Sequence, residues 1–584
     1  MGREKELGEL QDLLRSSGQV AIIAAATGMG GIGKTQLAWQ YAENHRNLYA
    51  GGIWWLRAES FVQQAFSYGQ RMGLPTPQGI TQESEQMQWF YQQWLLQIPV
   101  GERLLVVDDV QDYGKLKDLL PSDQRFRVLL TTRERITDEI VQRLEIETLK
   151  PLDAYELFYK QINLRLGEKV DLRLEREQRQ AEELCDWLGY LPLGIKVVAA
   201  FLAVEPDLSF AQMQQRLEVE KIKNESLSPV EAAFEISWEK FSPPERQLAG
   251  LLGLFASAPI PWNLVTQSLE RCEVKPVKLG LWQRIITKPQ RLLTKPQPLQ
   301  QWCLLLDQKQ QERARRRLVE LNCLSYVEEE KYEVHSLLHK FYGEKLGTEL
   351  ADTAETLRRS FAETLTAVAK TIGSSLRQTD IPQVAETLPH LEMVANNLTH
   401  LLKNSTDKLW SSEGLARVAE FQSRWQDSER WCKKSLEISE TQLGADHPDT
   451  ATSLNNLAGL YQAMGRYSDA EPLYGRSLQI SETQLGADHP DTASSLNNLA
   501  GLYQAMGRYS DAEPLYGRSL QISETQLGAD HPDTASSLNN LAGLYQAMGR
   551  YSDAEPLYGR SLHIIETQLG ADHPHTASSL NNLA

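Results

Sequence analysis

Hydrophobic residues fall into three successive patterns along this chain. From about residue 20 to 146, short apolar runs end in polar or charged residues. These are Val20 to Ala26, Ile53-Trp54-Trp55-Leu56, Leu104 to Val107 before Asp108-Asp109, Arg127 to Leu130 before Thr131-Thr132-Arg133, and Leu144-Glu145-Ile146. Runs that do not alternate suit strands buried on both faces, so they predict a sheet of about five parallel strands with helices on either side. From about 151 to 224 the apolar spacing moves to near 3.6, in Ala154 to Phe158 and from Ala181 to Val204, which predicts a helical region. From 228 to about 346 helices continue, with a helix over 313–322 and a short hairpin of 324–327 and 332–334.

The third pattern is periodic. Gly-Ala-Asp-His-Pro begins at Gly444, Gly486, Gly528 and Gly570, every 42 residues. Within each unit Leu454, Leu457, Ala458 and Tyr461 follow i, i+3, i+4, i+7, one face of a helix. Gly465 ends that helix and a second is predicted from about Ser468 to Thr483. Residues 413–443 read as a divergent unit, with Ala416, Trp425 and Trp431 at the positions of Ala458, Tyr467 and Leu473. The units 444–485 and 486–527 differ only at Thr452 and Ser494, which points to recent duplication and a variable repeat number.

Composition narrows the class. With 584 residues the chain is too long for one core, and 41% apolar with 23% charged residues is ordinary for globular protein. A net charge of −17 argues against a general nucleic-acid binder, which needs Lys and Arg to neutralise phosphates. Cys185, Cys272, Cys303, Cys323 and Cys432 form no C-x-x-C pair, so they read as reduced thiols and offer no zinc framework. No apolar run reaches membrane-spanning length, the N-terminus is too charged for a signal peptide, and Glu6 spoils a myristoylation signal at Gly2. The expected location is the cytoplasm. The chain stops at Ala584 inside a repeat and opens directly on Gly2-Arg3-Glu4, so it reads as a piece of something longer.

The candidate chemistry begins after the first strand. Gly28, four residues, then Gly33-Lys34-Thr35 spell G-x-x-x-x-G-K-T. Glycines such as Gly28, Gly30, Gly31 and Gly33 let backbone N–H groups wrap phosphates, and the following helix aims its positive end at them. Lys34 reaches the phosphates, and the Thr35 hydroxyl suits magnesium. Gly28, Gly30 and Gly33 also fit the dinucleotide pattern G-x-G-x-x-G, but Lys34-Thr35 decides for a P-loop. Asp108, at a strand's C-terminal end, is the expected second partner of the magnesium shell. Asp109 is placed to orient or deprotonate a water, and Arg133 to sense the γ-phosphate.

In order, these motifs resemble the NB-ARC class of STAND signalling NTPases. The resemblance rests on Gly28–Thr35, Leu105-Val-Val-Asp-Asp-Val110, Leu130-Thr-Thr-Arg133, Leu149-Lys-Pro-Leu152, Leu191-Pro-Leu-Gly194 and Val334-His-Ser-Leu-Leu338, together spanning roughly residues 1–347. It implies that Arg3 lies near the adenine, that Pro192 touches base or ribose, and that His335 reaches the β-phosphate of ADP. Ser336 stands where the family carries Asp, which removes a carboxylate from that latch. Read from the residues alone, Pro192 signals a helix start and His335 a core position. The 42-residue units resemble tetratricopeptide repeats of the kinesin-light-chain type.

The expected architecture is multidomain. It comprises an α/β P-loop domain over 1–150, a helical domain over 151–225, a winged-helix domain over 226–347 with a basic Pro-containing insertion near 273–298, a helical linker over 348–410, and an all-α tetratricopeptide solenoid over 411–584. The insertion reads as a solvated excursion, with nucleic-acid contact as the sharper alternative. Asn455 or Asn456 either lines a concave ladder for a bound peptide or bonds between neighbouring helices. The His447 series, about 10 Å apart, cannot share a metal.

The resulting expectation is an ATP/ADP switch with Mg2+ and at most slow hydrolysis. A protein or peptide on the repeats would open it, and ATP would favour a homo-oligomer. Two alternatives remain: a STAND-type transcription regulator whose DNA-binding domain lies outside 1–584, and a tetratricopeptide scaffold with an inert nucleotide domain. Intact Lys34, Thr35, Asp108 and Asp109 count against the scaffold.

Overall fold

The structure is a computed structural model that describes residues 2–24, 31–74, 80, 82–98, 100–166, 171, 173–272, 306–373, 376–377, 380–570, 576 and 580–582. Gly28, Gly30, the basic insertion at 273–298, Cys303 and His573 lie outside the described residues. The chain divides into two compact units, the first essentially residues 1–401 and the second essentially 402–584.

The first unit is built on a parallel sheet of β1 (Gln19–Ala24), β2 (Ile53–Arg57), β3 (Arg103–Val110), β4 (Phe126–Thr132) and β5 (Gln142–Ile146), in spatial order β2-β3-β4-β1-β5. Helices α1 (Glu4–Ser17), α2 (Lys34–Asn44), α3 (Phe61–Arg71), α4 (Glu83–Gln97) and the short α5 (Tyr113–Leu116) accompany it. Strand periodicity sorts the side chains onto two faces. Trp54, Leu56, Leu105, Val107, Val128, Leu130 and Ala21 face one way and meet Phe66, Phe90 and Trp94 of α3 and α4. Trp54 stacks on Trp94 at 4.0 Å, and burying each such ring contributes about 2 kcal/mol or more. On the other face Val20, Ile22, Leu104, Val106 and Leu129 are buried, and α1 and α2 pack there. The five apolar runs are therefore the five strands.

Next come α6 (Pro151–Leu166), α7 (Arg173–Arg176), α8 (Gln178–Trp187), α9 (Pro192–Val204) and α10 (Phe210–Lys223). The apolar stretch from Ala181 to Val204 is two helices, with Pro192 opening the second as its helix-start signal implies. Gly189 and Tyr190 both take left-handed backbone at φ 64° and 55°, which turns the chain before Pro192 starts α9 in its first turn.

The remainder of this unit holds α11 (Pro229–Glu239), α12 (Pro243–Leu252), β6 (Ile260–Pro261), α13 (Trp262–Glu270), α14 (Gln308–Glu320), β7 (Ser325–Tyr326), β8 (Lys331–Glu333) and α15 (Ser336–Thr348). The hairpin is present, and β6 adds to it in an antiparallel sheet of order β6-β8-β7. Then follow α16 (Ala351–Thr371), α17 (Ile381–Ala385) and α18 (Leu388–Asn397).

The second unit is a run of helix pairs. They are α19 (Asp407–Phe421) with α20 (Trp425–Gln442), α21 (Pro448–Ala463) with α22 (Tyr467–Gln484), α23 (Pro490–Ala505) with α24 (Tyr509–Gln526), and α25 (Pro532–Ala547) with α26 (Tyr551–Leu569). Gly465, Gly507 and Gly549 take φ near 73–75° and close each first helix. His447, His489 and His531 cap the first helices, each ring Nδ1 accepting the N–H two residues on at 3.1 Å. Neighbouring units are stitched identically. Arg508 meets Glu471 and Arg550 meets Glu513, both at 2.9 Å, while Arg518 meets Glu482 and Arg560 meets Glu524 at 2.5 Å. Asn455 and Asn497 donate to Ser495 and Ser537 of the next unit at 3.4 Å, so the first Asn of each pair bonds between neighbouring helices. Asn456 is exposed.

Candidate nucleotide site

Lys34 and Thr35, the first residues of α2, stand at the C-terminal edge of the sheet, where Thr35 meets Asp108 of β3. Gly33, at φ 98°, is the residue before α2, and its carbonyl accepts the Leu37 N–H at 2.9 Å. Only glycine takes this backbone without strain. Gly31, at φ 79°, is hemmed in as well. A Cβ there would lie 3.0 Å from Leu193 Cβ and 3.7 Å from Leu337 Cδ1. Burial, then the neighbouring Arg133, pull the Lys34 pKa down, while Asp109 and Asp108 oppose them.

Asp108, in register with Arg57 of β2, ends the apolar part of β3 and is buried. The Thr35 hydroxyl donates to Asp108 Oδ1 at 2.8 Å, and so does the Thr131 hydroxyl of β4. Thr131 Oγ1 in turn accepts the Asp109 N–H at 2.9 Å. Two neighbouring ligands of an octahedral magnesium ion lie about 2.9 Å apart, so this hydroxyl–carboxylate pair fits one edge of such a shell. Among the described residues no group of three or more His, Cys, Asp or Glu could hold a metal alone. Magnesium would therefore take its remaining ligands from phosphates and water.

Asp109 has left-handed backbone at φ 55°, and its carboxylate lies 3.7 Å from Arg133 Nε. Arg133 also donates to Ser336 Oγ at 3.1 Å, which ties the end of β4 to the start of α15. Beside it, His335 Nδ1 accepts the Leu337 N–H at 3.2 Å, leaving Nε2 as the ring's donor. His335 is exposed to water, not the core position that its apolar run suggests. Desolvation by the protein around it, followed by the Arg133 and Lys196 cations, still holds its pKa down at about 4, so it is neutral near pH 7. From the helical side, Pro192 Cγ would lie 3.9 Å from a Cβ on Gly33.

A family model described as the NB-ARC domain matches residues 3–165. Residues 3–165 are an NB-ARC domain. A tetratricopeptide-repeat model matches 407–483, 454–525, 491–567 and 533–584, so the second unit is a tetratricopeptide array. The chain is similar to the regulatory protein AfsR of Streptomyces coelicolor, 27% identical over 271 residues that make up 43% of this chain and 26% of that protein. It is also similar to the disease resistance protein RPP8 of Arabidopsis thaliana, 27% identical over 214 residues, 35% of this chain and 23% of that one. It spans about a quarter of the length of these relatives. A solved structure of nearly identical TPR-like repeats from Podosopora anserina is 27% identical, covers 36% of this chain and 98% of its own, and has a TM-score of 0.30.

The NB-ARC domain thus brings together Gly31, Gly33, Lys34, Thr35, Asp108, Asp109 and Arg133, with Pro192 and His335 arriving from later helices. Arg3 is buried, and its guanidinium donates to the carbonyls of Ile32 at 3.4 Å and Glu147 at 2.6 Å and pairs with Glu6. It braces the back of the phosphate loop. Sequence reasoning omits Thr131, Leu193 and Leu337. None of the three carries a local signal, because each reaches the site only through strand pairing or helix packing between distant segments. Among the described residues no helix is long and apolar enough to cross a membrane.

Proposed function

We propose that this chain is a nucleotide-controlled switch. Its NB-ARC domain is a nucleotide-binding module, and its tetratricopeptide array is a protein-interaction module. In our reading Lys34 and the loop glycines hold the phosphates of ATP or ADP. Thr35 and Asp108 hold Mg2+, and Asp109 and Arg133 face the γ-phosphate. Pro192 borders the base or ribose, and the neutral His335 donates from Nε2 to the β-phosphate of ADP. Residues 226–347 act as a winged-helix packing module, and the array senses a protein or peptide. ATP hydrolysis, if present, is slow and resets the state.

One observation carries this reading: Gly31 is covered at once by Leu193 of α9 and Leu337 of α15, segments 162 and 306 residues further along the chain. A Gly31 roofed by two distant helices is covered, and uncovering it requires those helices to leave. A ligand shifts such a balance only by its different affinity for the two states. The regulatory and disease-resistance names of the relatives agree with a signalling role. The test is sedimentation of the full chain with ADP or with a non-hydrolysable ATP analogue. A compact monomer with ADP and a larger assembly with the analogue is the expected result; identical sedimentation with both nucleotides bound would refute the switch.

A further inference from the structure

Glu386 follows α17, on the stretch that precedes the repeat array in sequence. Its Oε1 lies 2.8 Å from Lys331 Nζ on β8 and 3.7 Å from Arg71 Nη2 at the end of α3. Two residues beyond Lys331 on the same strand, Glu333 pairs with Arg57, the last residue of β2 and the register neighbour of Asp108. Residues i and i+2 of a strand share a face. β8 therefore turns one face toward β2 and α3, carrying Lys331 and then Glu333. Tyr332 goes the other way, buried and edge-on to Trp262.

The charges on that face alternate to match their partners. A positive residue meets Glu386, and a negative one meets Arg57. Arg57 and Arg71, the partners of Glu333 and Glu386, lie at the two ends of one stretch of chain, the β2–α3 connection and α3, a helix of 11 residues or about 16 Å. Lys331 is largely enclosed, at 15% exposure, and Glu386 is 31% exposed, so water screens the pair only in part. Ile381 of α17 is buried and α17 packs on α3, which holds Glu386 in place. On the far side, the buried His390 of α18 accepts the Ala256 N–H at Nδ1 and donates from Nε2 to the Pro259 carbonyl, each at 3.1 Å.

We propose that Glu386 is a clasp that joins the segment leading to the repeats directly to the nucleotide domain and to the β7–β8 ribbon, separately from the Arg133–Ser336 contact at the phosphate loop. Through β8, whose next residues lead to His335, the clasp restrains the same hairpin that positions α15 over the nucleotide. Displacing the 380–386 segment would leave Lys331 only its longer contacts with Glu328 and Glu329 of its own hairpin, at 3.6 and 4.0 Å, loosen β8 and let α15 rise. The nucleotide arm of this inference rests on the switch reading, while the clasp itself does not.

The experiment compares the full chain with its Glu386→Gln and Glu386→Lys variants, using hydrogen exchange and release of a fluorescent ADP analogue. Both variants alter a partly exposed side chain, and unchanged hydrogen exchange in β1, β3 and β4, the core of the unit that holds Glu386, checks that they fold. The clasp predicts roughly three- to ten-fold faster exchange in 61–71 and 325–333, larger for Glu386→Lys, with α23–α26 unchanged. It also predicts faster ADP-analogue release. Unaltered exchange in those two segments overturns the clasp. Faster exchange with unaltered release overturns its link to the nucleotide. A wild-type chain that binds no nucleotide overturns the switch reading and leaves the exchange result to decide the clasp.

Discussion

Asp108 accepts hydrogen bonds from Thr35 of the phosphate loop and from Thr131 of the neighbouring strand, so one carboxylate joins three segments. Asp108→Asn keeps the shape but loses the charge that a metal needs. The expected outcome is an ADP affinity that no longer responds to Mg2+, read by titration with and without the ion. Arg133 is shared between Asp109 and Ser336. Ser336→Asp gives it a second carboxylate, and a charge-assisted bond is about twice as strong as a neutral one. ADP release should then slow several-fold in a dissociation experiment. Acid should act on the buried His390, whose pKa burial holds at about 4 against an ordinary value of 6.5. A base depressed in the folded state contributes stability that is complete above 6.5 and is lost as pH falls through 4. Melting temperature should fall across that window, and less steeply in His390→Gln. The residues of the phosphate loop and Asp108 are legible in sequence because their spacing is local. Thr131 as a partner of Asp108 is not, since that contact depends on β4 lying beside β3, and pairing order leaves no trace in either strand.

At the scale of elements, unbroken apolar runs announce the parallel strands because both faces are buried. Helix breaks are harder to read. The pattern from Ala181 to Val204 stays apolar straight through Gly189-Tyr190, and it is the left-handed backbone there that ends α8 and lets Pro192 open α9. Pro192 is both a helix start and a neighbour of Gly33, so its two readings are compatible. Strand β6 is only Ile260–Pro261, too short for any periodicity to reveal. Glycines with positive φ make the sharpest element-level prediction. Gly465→Ala meets no steric contact within 4 Å, yet at φ 73° it should cost about 1–2 kcal/mol. Denaturant unfolding monitored at the repeats would measure it. Gly31→Ala combines φ 79° with a 3.0 Å approach to Leu193, so it should also loosen α9 from the loop and weaken ADP binding.

At the scale of the whole molecule, the two units follow different logic. The array is a sum of near-identical interfaces between neighbours, so its stability is approximately additive. Removing residues 486–527 should place Arg550 against Glu471 and Arg560 against Glu482, the same stitches with one fewer unit. Such a chain should fold with a modestly lower melting temperature for the array and unchanged ADP affinity. The first unit depends instead on long-range convergence, with Pro192, Leu193, His335 and Leu337 meeting a loop that ends at Thr35. That convergence is readable only through a family resemblance, because no periodicity links positions so far apart. It is also what separates a switch from a passive scaffold. The most direct measurement is the affinity of the full chain for ADP with Mg2+, compared with that of Lys34→Ala. The account predicts tight binding by the wild type and a loss of at least about a hundred-fold in the variant, the scale expected when a half-buried cation no longer meets a phosphate. Equal affinities, or no binding by either, would contradict it.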